Sequence, residues 1–219
     1  MTRSEYMKSK IELKPNQTIV FIGDSITDAE RMSAAYKPFG AGYVHFTANA
    51  LLAKYPQLNL NIINSGVSGN TIHDLKTRWQ RDCISHKPDI LSILIGVNDI
   101  WRRIAENDPS GAADLDEYDS MYRQLISQTK KECNSRIVII EPFMFCDDLN
   151  NPVFVELRRF VEKVRTIAAD FNAVLVPLQK AIDERIKEVP PQNWSLDMVH
   201  PEVWAHAWIS QRWLEVTGL

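Results

Sequence analysis

Five short apolar runs recur along the chain, and each of the first three is followed by a polar, glycine-containing segment. The runs are continuously apolar rather than alternating, which is typical of strands that are covered on both faces of a parallel sheet. The predicted strands are Thr18–Ile22, Leu60–Asn64, Ile90–Ile95, Arg136–Glu141 and Ala173–Pro177.

Helical patterns separate these runs. In the longest of them, apolar residues recur at three- and four-residue steps, which predicts an amphipathic face. The predicted helices are Tyr43–Lys54, Thr71–Cys83, Leu115–Glu132, Pro152–Phe171 and Pro201–Val216. Strands that alternate with helices favour right-handed crossovers, so we expect one doubly wound α/β domain. Two longer segments, Asp28–Gly42 and Glu106–Asp114, are predicted to be irregular and are candidates for functional loops.

Composition narrows the class of protein. The chain has 219 residues, of which 45% are hydrophobic and 24% charged, with a formal net charge of -3. Such a chain can bury a sizeable core and is not typical of a disordered protein. It has no Lys/Arg-rich run that would follow a phosphate backbone and no apolar stretch of the ~20 residues that a membrane helix needs. We therefore expect neither a nucleic-acid nor a membrane partner.

The cysteines and the N-terminal segment bear on the compartment. Cys83, Cys133 and Cys146 are odd in number and have no CxxC spacing, which argues against a disulfide framework and a zinc cluster. Residues 1–17 alternate charged with apolar positions and lack the apolar core of a secretory signal. Both observations predict a cytoplasmic protein.

Polar segments follow the first three predicted strands. They are Gly23–Asp28 (GDSITD), Ser65–Asn70 (SGVSGN) and Gly96–Asp99 (GVND). Active sites of open parallel sheets lie beyond the carboxyl ends of the strands. If the first and third strands are neighbours, as in a flavodoxin-like order, these segments meet at one edge of the sheet.

A nucleophile and a base can be assigned from these segments and the C-terminal region. A serine hydroxyl such as that of Ser25 needs a base, and that base needs an orienting group. Asp197 lies three residues before His200, which lets one carboxylate hold the imidazole Nδ1–H while Nε2 faces outward. A DxxH motif alone is a weak signal, so this assignment depends on its coincidence with the other segments.

Acyl transfer also needs donors for the oxyanion that forms on the carbonyl oxygen. Gly69 offers a backbone N–H without a side chain in the way, Asn98 a side-chain amide, and Ser25 its own N–H. Two of these donors have an alternative interpretation: Gly69 shapes a turn, and Asn98 caps the segment that follows it.

Four motifs resemble those of a known family. FIGDSITD, NSGVSGNT, IGVND and DMVHP are similar, in order and spacing, to the four blocks of the SGNH hydrolases, also called the GDSL esterase/lipase family, and they span positions 21 to 201. The resemblance implies a flavodoxin-like three-layer α/β/α sandwich with a five-stranded parallel sheet. It also implies a single SGNH hydrolase domain over residues 18–219, after an N-terminal extension of residues 1–17. Ile26 replaces the leucine of the usual signature.

Carried over residue by residue, the resemblance implies catalytic roles for Ser25 as the nucleophile, His200 as the general base and Asp197 as its partner. It implies that the oxyanion hole consists of the Ser25 N–H, Gly69 and Asn98. Hydrolysis through an acyl-enzyme then requires no metal and no organic cofactor.

Finer similarity indicates one branch of the family. The runs GAGYVHFTANALLAKYP, NTIHDLKTRWQRD and IGVNDIWR resemble bacterial intracellular acetylxylan esterases. This resemblance implies a small-molecule substrate, an acetylated sugar, and a homo-oligomer. The expected substrate-binding residues are Asp24, Trp101 and Trp194, although each tryptophan is equally consistent with a place in the core.

Two other functions are compatible with these residues. A metal-dependent phosphohydrolase would use Asp24, Asp28, Asp99 and Asp197 as oxygen ligands, although the absence of a DxD spacing after the first strand weighs against it. A non-catalytic carbohydrate- or nucleotide-binding module on the same fold is the second alternative, since a fold does not determine a function.

Overall fold

Strands form at all five predicted apolar runs. In the computed structural model, which describes residues 10–219, they pair in one parallel sheet in the order β2-β1-β3-β4-β5. The strands are β1 (Thr18–Gly23), β2 (Asn61–Gly66), β3 (Ile90–Leu94), β4 (Arg136–Ile140) and β5 (Val174–Val176). The flavodoxin-like order is as predicted, and each predicted boundary differs from the observed one by at most two residues.

The five predicted helices are present, and the described part of the chain contains four further α-helices. The helices are α1 (Ser25–Asp28), α2 (Tyr43–Lys54), α3 (Ile72–Asp82), α4 (Val97–Ile104), α5 (Leu115–Cys133), α6 (Pro152–Asp170), α7 (Leu178–Arg185), α8 (Pro191–Trp194) and α9 (Val203–Thr217). The last helix begins at Val203 rather than Pro201, because Glu202 is its N-cap.

Helices cover both faces of the sheet. On one face α2 and α9 pack together, and Phe21 of β1 contacts Trp213 of α9 with ring centroids 5.3 Å apart. On the other face α3, α5 and α6 pack side by side, and Tyr118 of α5 contacts Phe160 of α6 at 4.7 Å. Every residue of β3, the central strand, is buried. The predicted three-layer α/β/α sandwich with a five-stranded parallel sheet is confirmed.

The segment before β1 packs on the last helix. The Ile11 N–H donates to the carbonyl oxygen of Thr217 at 2.8 Å, and the Ile11 side chain is buried. The first nine residues of the predicted N-terminal extension lie outside the described residues. Within residues 10–219, no helix combines the length and the apolar character needed to cross a membrane.

Candidate active site

The carboxyl ends of β1, β2 and β3 meet at one edge of the sheet. Gly23 at the end of β1 is paired with Gly66 of β2 on one side and with Leu94 of β3 on the other. A Cβ on Gly66 would lie 2.2 Å from the backbone nitrogen of Asp28, so a glycine is required for α1 to pack on the end of β2. The three predicted polar segments are thereby brought together.

Ser25 is the first residue of α1 and is half-buried. Asp24 caps this helix by accepting a hydrogen bond from the Ile26 N–H at 3.0 Å. The Ser25 Oγ lies 2.8 Å from Nε2 of His200, across 175 residues of sequence. The structure therefore places the predicted nucleophile within hydrogen-bond distance of the predicted base.

The loop before α9 holds the imidazole in a defined orientation. Nδ1 of His200 lies 2.6 Å from Oδ2 of Asp197. Because an ionised carboxylate only accepts hydrogen bonds, Nδ1 carries the proton and Nε2 is left to accept one from Ser25. Both side chains are open to solvent, with 56% of His200 and 54% of Asp197 exposed.

Three further donors fix the carboxylate of Asp197. Its Oδ1 accepts hydrogen bonds from the hydroxyl of Ser195 at 3.0 Å and from the N–H groups of Val199 at 2.9 Å and His200 at 2.8 Å. Partial burial acts to raise the pKa of Asp197, but hydrogen bonds from His200, Val199 and Ser195 outweigh it and hold this pKa well below the usual range. Asp197 is therefore ionised in the folded protein near neutral pH.

The two other predicted oxyanion donors lie on the segments that follow β2 and β3, at the same edge of the sheet as Ser25. Gly69 has a φ of +76°, in the left-handed region that favours glycine. Asn98 lies in the first turn of α4, and its Nδ2 donates to the carbonyl oxygen of Asn70 at 3.0 Å. An amide NH₂ has two hydrogens, so one remains for a ligand. The backbone N–H of Ser25 is among the first N–H groups of α1, which have no acceptor within the helix.

Three of the four carboxylates that a metal site would use make hydrogen bonds to other groups of the protein. Asp99 is fully buried and accepts hydrogen bonds from the N–H groups of Ile72, at 3.2 Å, and Ala113, at 3.1 Å. Asp28 accepts one from the Ser68 N–H at 3.2 Å. Asp197 is held by His200. Across residues 10–219, no group of three or more His, Cys, Asp or Glu side chains has the arrangement of a metal site.

Asp24 and Asp99, on the segments after β1 and β3, are both buried. Burial raises the pKa of Asp24 to about 7, although the Ile26 N–H acts to lower it. Burial likewise raises the pKa of Asp99 to about 7, against the lowering effect of its backbone donors. Asp24 is 1% exposed, so the structure places this predicted substrate-binding residue beneath the nucleophile rather than on the open surface.

The two predicted substrate-binding tryptophans have different environments. Trp101 on α4 is half-buried and packs against the core. Trp194 is 4% exposed, lies stacked on Phe145 with centroids 5.7 Å apart, and donates from Nε1 to the carbonyl oxygen of Val189 at 3.2 Å. Trp204, which is 47% exposed, covers Trp194 at 4.3 Å. Trp194 therefore supports the segment that carries Ser195 and Asp197.

Two arginines at the site were not predicted. Arg78 on α3 is buried and donates to the carbonyl oxygens of Gly23 and Ser65 at 2.9 and 2.7 Å. Arg102 on α4 donates to the carbonyl oxygen of Gly69 at 2.7 Å. The sequence did hold signals for both. Arg78 interrupts the apolar stripe of its helix, and Arg102 lies four residues after Asn98 and so shares its helix face.

Comparison with known proteins identifies the class that this fold and site define. A model of the GDSL-like lipase/acylhydrolase family matches residues 21–208. The chain therefore belongs to this family, has the SGNH hydrolase fold, and is a carboxylic ester hydrolase.

Individual relatives cover nearly the whole chain. An acetylxylan esterase of Geobacillus stearothermophilus is 34% identical over 213 residues, which are 95% of this chain and 97% of the relative. Its crystal structure superimposes with a TM-score of 0.86 at 33% identity and the same coverage. An α/β hydrolase from the metagenome of Lake Arreo, Spain, is 28% identical with a TM-score of 0.87, over 94% of this chain and 97% of its own. Solved variants of the Geobacillus esterase include serine-to-alanine and histidine-to-alanine forms described as catalytic mutants.

Proposed function

We propose that the chain is a serine esterase that removes short acyl groups, acetyl in particular, from xylo-oligosaccharides or related sugars. The observation that carries the catalytic part is the pair of contacts that His200 makes, from Nε2 to Ser25 at 2.8 Å and from Nδ1 to Asp197 at 2.6 Å. The acetylated-sugar part is supported by the acetylxylan esterase that matches 95% of the chain.

The reaction proceeds in two steps. Nε2 of His200 takes the proton of Ser25 as Oγ attacks the ester carbonyl carbon, and Asp197 stabilises the imidazolium that forms. The C–O bond to the sugar breaks, and His200 returns the proton to the departing sugar hydroxyl. Water then attacks the acyl-enzyme by the same route and releases the carboxylic acid and free Ser25.

The oxyanion of each tetrahedral intermediate is stabilised by three donors: the N–H groups of Ser25 and Gly69 and the side-chain amide of Asn98. Removal of one such donor costs roughly 10²–10³ in kcat where it has been measured in other enzymes. This set lies on the segments after β1, β2 and β3, so the sheet positions all three donors.

The first experiment compares hydrolysis of p-nitrophenyl acetate by the wild type and Ser25→Ala, with EDTA present and with both proteins shown to be folded by circular dichroism. We expect turnover by the wild type that EDTA does not reduce, and background rates for the variant. Equal rates for the two proteins would exclude Ser25 as the nucleophile, and loss of activity in EDTA would favour the metal-dependent alternative.

A second experiment tests the substrate class. The wild type is assayed for acetate release from acetylated xylo-oligosaccharides and for hydrolysis of p-nitrophenyl acetate and decanoate. We expect a higher kcat/KM for the acetylated sugar than for either p-nitrophenyl ester. Of the two esters, p-nitrophenyl acetate should have a higher kcat/KM than p-nitrophenyl decanoate. A preference for decanoate would contradict the short-acyl assignment.

The proposal extends to assembly, domain organisation and compartment. Leu196 and Trp204, exposed apolar residues beside the catalytic loop, support a homo-oligomer, since large exposed apolar side chains mark interfaces. Light scattering on the purified protein tests the oligomer, and a monomer would contradict it.

Residues 18–219 act as one domain, and the free thiols support a cytoplasmic location.

A further inference from the structure

Asn98 and Arg102 lie four residues apart on α4, so both side chains face the loop that carries Gly69. Asn98 donates to the carbonyl oxygen of Asn70 at 3.0 Å, and Arg102 donates to that of Gly69 at 2.7 Å. One face of one helix therefore holds two successive peptide groups of this loop.

The loop has little internal hydrogen bonding to fix its shape. Its turn is closed by a bond from the Asn70 N–H to the Val67 carbonyl at 3.3 Å. Gly69 has a φ of +76°, and a Cβ there would meet just the guanidinium of Arg102, at 3.8 Å. A glycine with open space around it can take several backbone conformations. The direction of its N–H therefore depends on contacts made from outside the loop.

We propose that Arg102 is a positioning residue for the oxyanion hole. Its guanidinium anchors the carbonyl group of Gly69 and so restricts the φ and ψ of this glycine, which set the direction of the Gly69 N–H. The Gly69 N–H and the Asn98 amide then point at the same substrate carbonyl oxygen. The inference rests on the acyl-transfer function proposed above. Donors stabilise an oxyanion because they are oriented before the reaction, and a displacement of about 1 Å in such a group can cost on the order of 10² in rate.

Arg103 is a matched control for Arg102. It is the next residue of α4, is also half-buried, and also donates to a backbone carbonyl, that of Ala112, at 3.2 Å. That carbonyl lies in the segment after α4 rather than in the loop of Gly69. Replacing Arg103 removes the same charge and the same kind of hydrogen bond without releasing the oxyanion loop.

The test compares Arg102→Met, Arg102→Lys and Arg103→Met with the wild type on p-nitrophenyl acetate. We expect Arg102→Met to lower kcat roughly 10–100-fold with KM nearly unchanged, because the interaction acts in the transition state. Arg102→Lys recovers part of the loss, since an ammonium can still donate to the Gly69 carbonyl. Arg103→Met keeps kcat close to that of the wild type, and all three variants keep a Tm close to the wild-type value.

A tetrahedral inhibitor separates positioning from a merely structural role. A small alkyl boronic acid adds to the serine and places an oxygen where the oxyanion forms, whereas xylose, a deacetylated sugar, brings no acyl oxygen to the hole. We expect the inhibition constant of the boronic acid to rise in Arg102→Met by about the factor lost in kcat/KM, while that of xylose stays the same.

Three results would overturn the inference. Equal losses in Arg102→Met and Arg103→Met, with a lower Tm, would mean that Arg102 is simply structural. Wild-type kcat in Arg102→Met, together with inactive Ser25→Ala, would reject the positioning role and leave the proposed function intact. Full activity in Ser25→Ala would reject the proposed function and, with it, the inference.

Discussion

The guanidinium of Arg78 donates to the carbonyl oxygen of Gly23 at 2.9 Å, two residues before Ser25. It also donates to the carbonyl oxygen of Ser65 at 2.7 Å and to Oδ1 of Asn70 at 2.6 Å. One buried cation thus joins the ends of β1 and β2 to the loop that follows β2. Arg78 therefore fixes the segment of Ser25 relative to the loop that carries Gly69, although it contacts neither reacting group.

Replacing Arg78 with Met should destabilise the protein. The substitution removes a donor from the carbonyl oxygens of Gly23 and Ser65 and from Oδ1 of Asn70. It also removes the buried one of the two arginines that pair with Asp82, whose Oδ2 lies 3.0 Å from Nη1 of Arg78. Breaking one side of such a buried network costs about 3–5 kcal/mol. Urea unfolding measures this loss as a lower free energy of unfolding, and we expect kcat to fall as well because both catalytic segments are released.

Arg81 is the control, because it pairs with the same carboxylate from the surface. Its side chain is 75% exposed and its Nε lies 2.5 Å from Oδ1 of Asp82. Exposed ion pairs contribute little to stability, so Arg81→Met should unfold close to the wild-type urea midpoint. A similar loss of stability in both variants would mean that the pairing with Asp82, and not the bonds to the carbonyls, is what stabilises this region.

Asp99 should make stability depend on pH. Burial raises its pKa from 3.8 to about 7 in the folded protein, whereas in the unfolded chain it titrates near its ordinary value. Between these two values the folded state binds more protons, so the free energy of unfolding falls as pH rises and levels off above about pH 7. Asp99→Asn removes this group, so the variant should show a smaller decline between about pH 4 and 7.

Urea unfolding at several pH values gives this slope for Asp99→Asn, the wild type and a control, Asp147→Asn. Asp147 is exposed. Asp24, whose pKa burial also raises to about 7, keeps its own part of the slope in both variants. Identical slopes in all three proteins would contradict the raised pKa of Asp99.

Local patterns in the sequence were enough to predict most of the sheet and much of the candidate site. The five continuous apolar runs predicted the strands because most residues of each strand are buried, whichever face they lie on. GDSITD, SGVSGN and GVND could be located as the segments after β1, β2 and β3. Short helices were missed. The helix Val97–Ile104 has just eight residues and begins after Gly96, which has a φ of +129°. It is too short to show a repeated helical pattern of apolar residues.

The contacts that hold the site together could not be predicted in the same way. Arg78 reaches Gly23 across 55 residues and Arg102 reaches Gly69 across 33, and in each case the acceptor is a backbone carbonyl. Every residue has such a carbonyl, so no sequence pattern marks the one that is used. Periodicity can place an arginine on a helix face, but the acceptor depends on how the strands are ordered.

Asp197→Asn should nearly abolish activity by reversing the imidazole tautomer. Three donors converge on Oδ1 of Asp197 and require an acceptor there, so the NH₂ of an asparagine would face Nδ1 of His200. His200 would then carry its proton on Nε2, toward Ser25, and could not accept another. We expect kcat on p-nitrophenyl acetate to fall on the order of 10⁴-fold. The folded state should persist, as judged by circular dichroism, and Asp147→Asn should be fully active; a loss under tenfold would contradict this role for Asp197.

Variants of Trp194 and Trp204 can show whether Trp194 supports the catalytic loop or contacts the substrate. Trp194 is 4% exposed and lies between Phe145 and Trp204, so Trp194→Ala should lower the free energy of unfolding by about 3–5 kcal/mol, as is usual for a buried tryptophan. Trp204→Ala should lower it much less, because 47% of that side chain is already exposed. Urea unfolding and kinetics on acetylated xylo-oligosaccharides distinguish the two roles. Wild-type stability in Trp194→Ala, together with a higher KM for the sugar and an unchanged KM for p-nitrophenyl acetate, would mean instead that Trp194 binds the sugar directly.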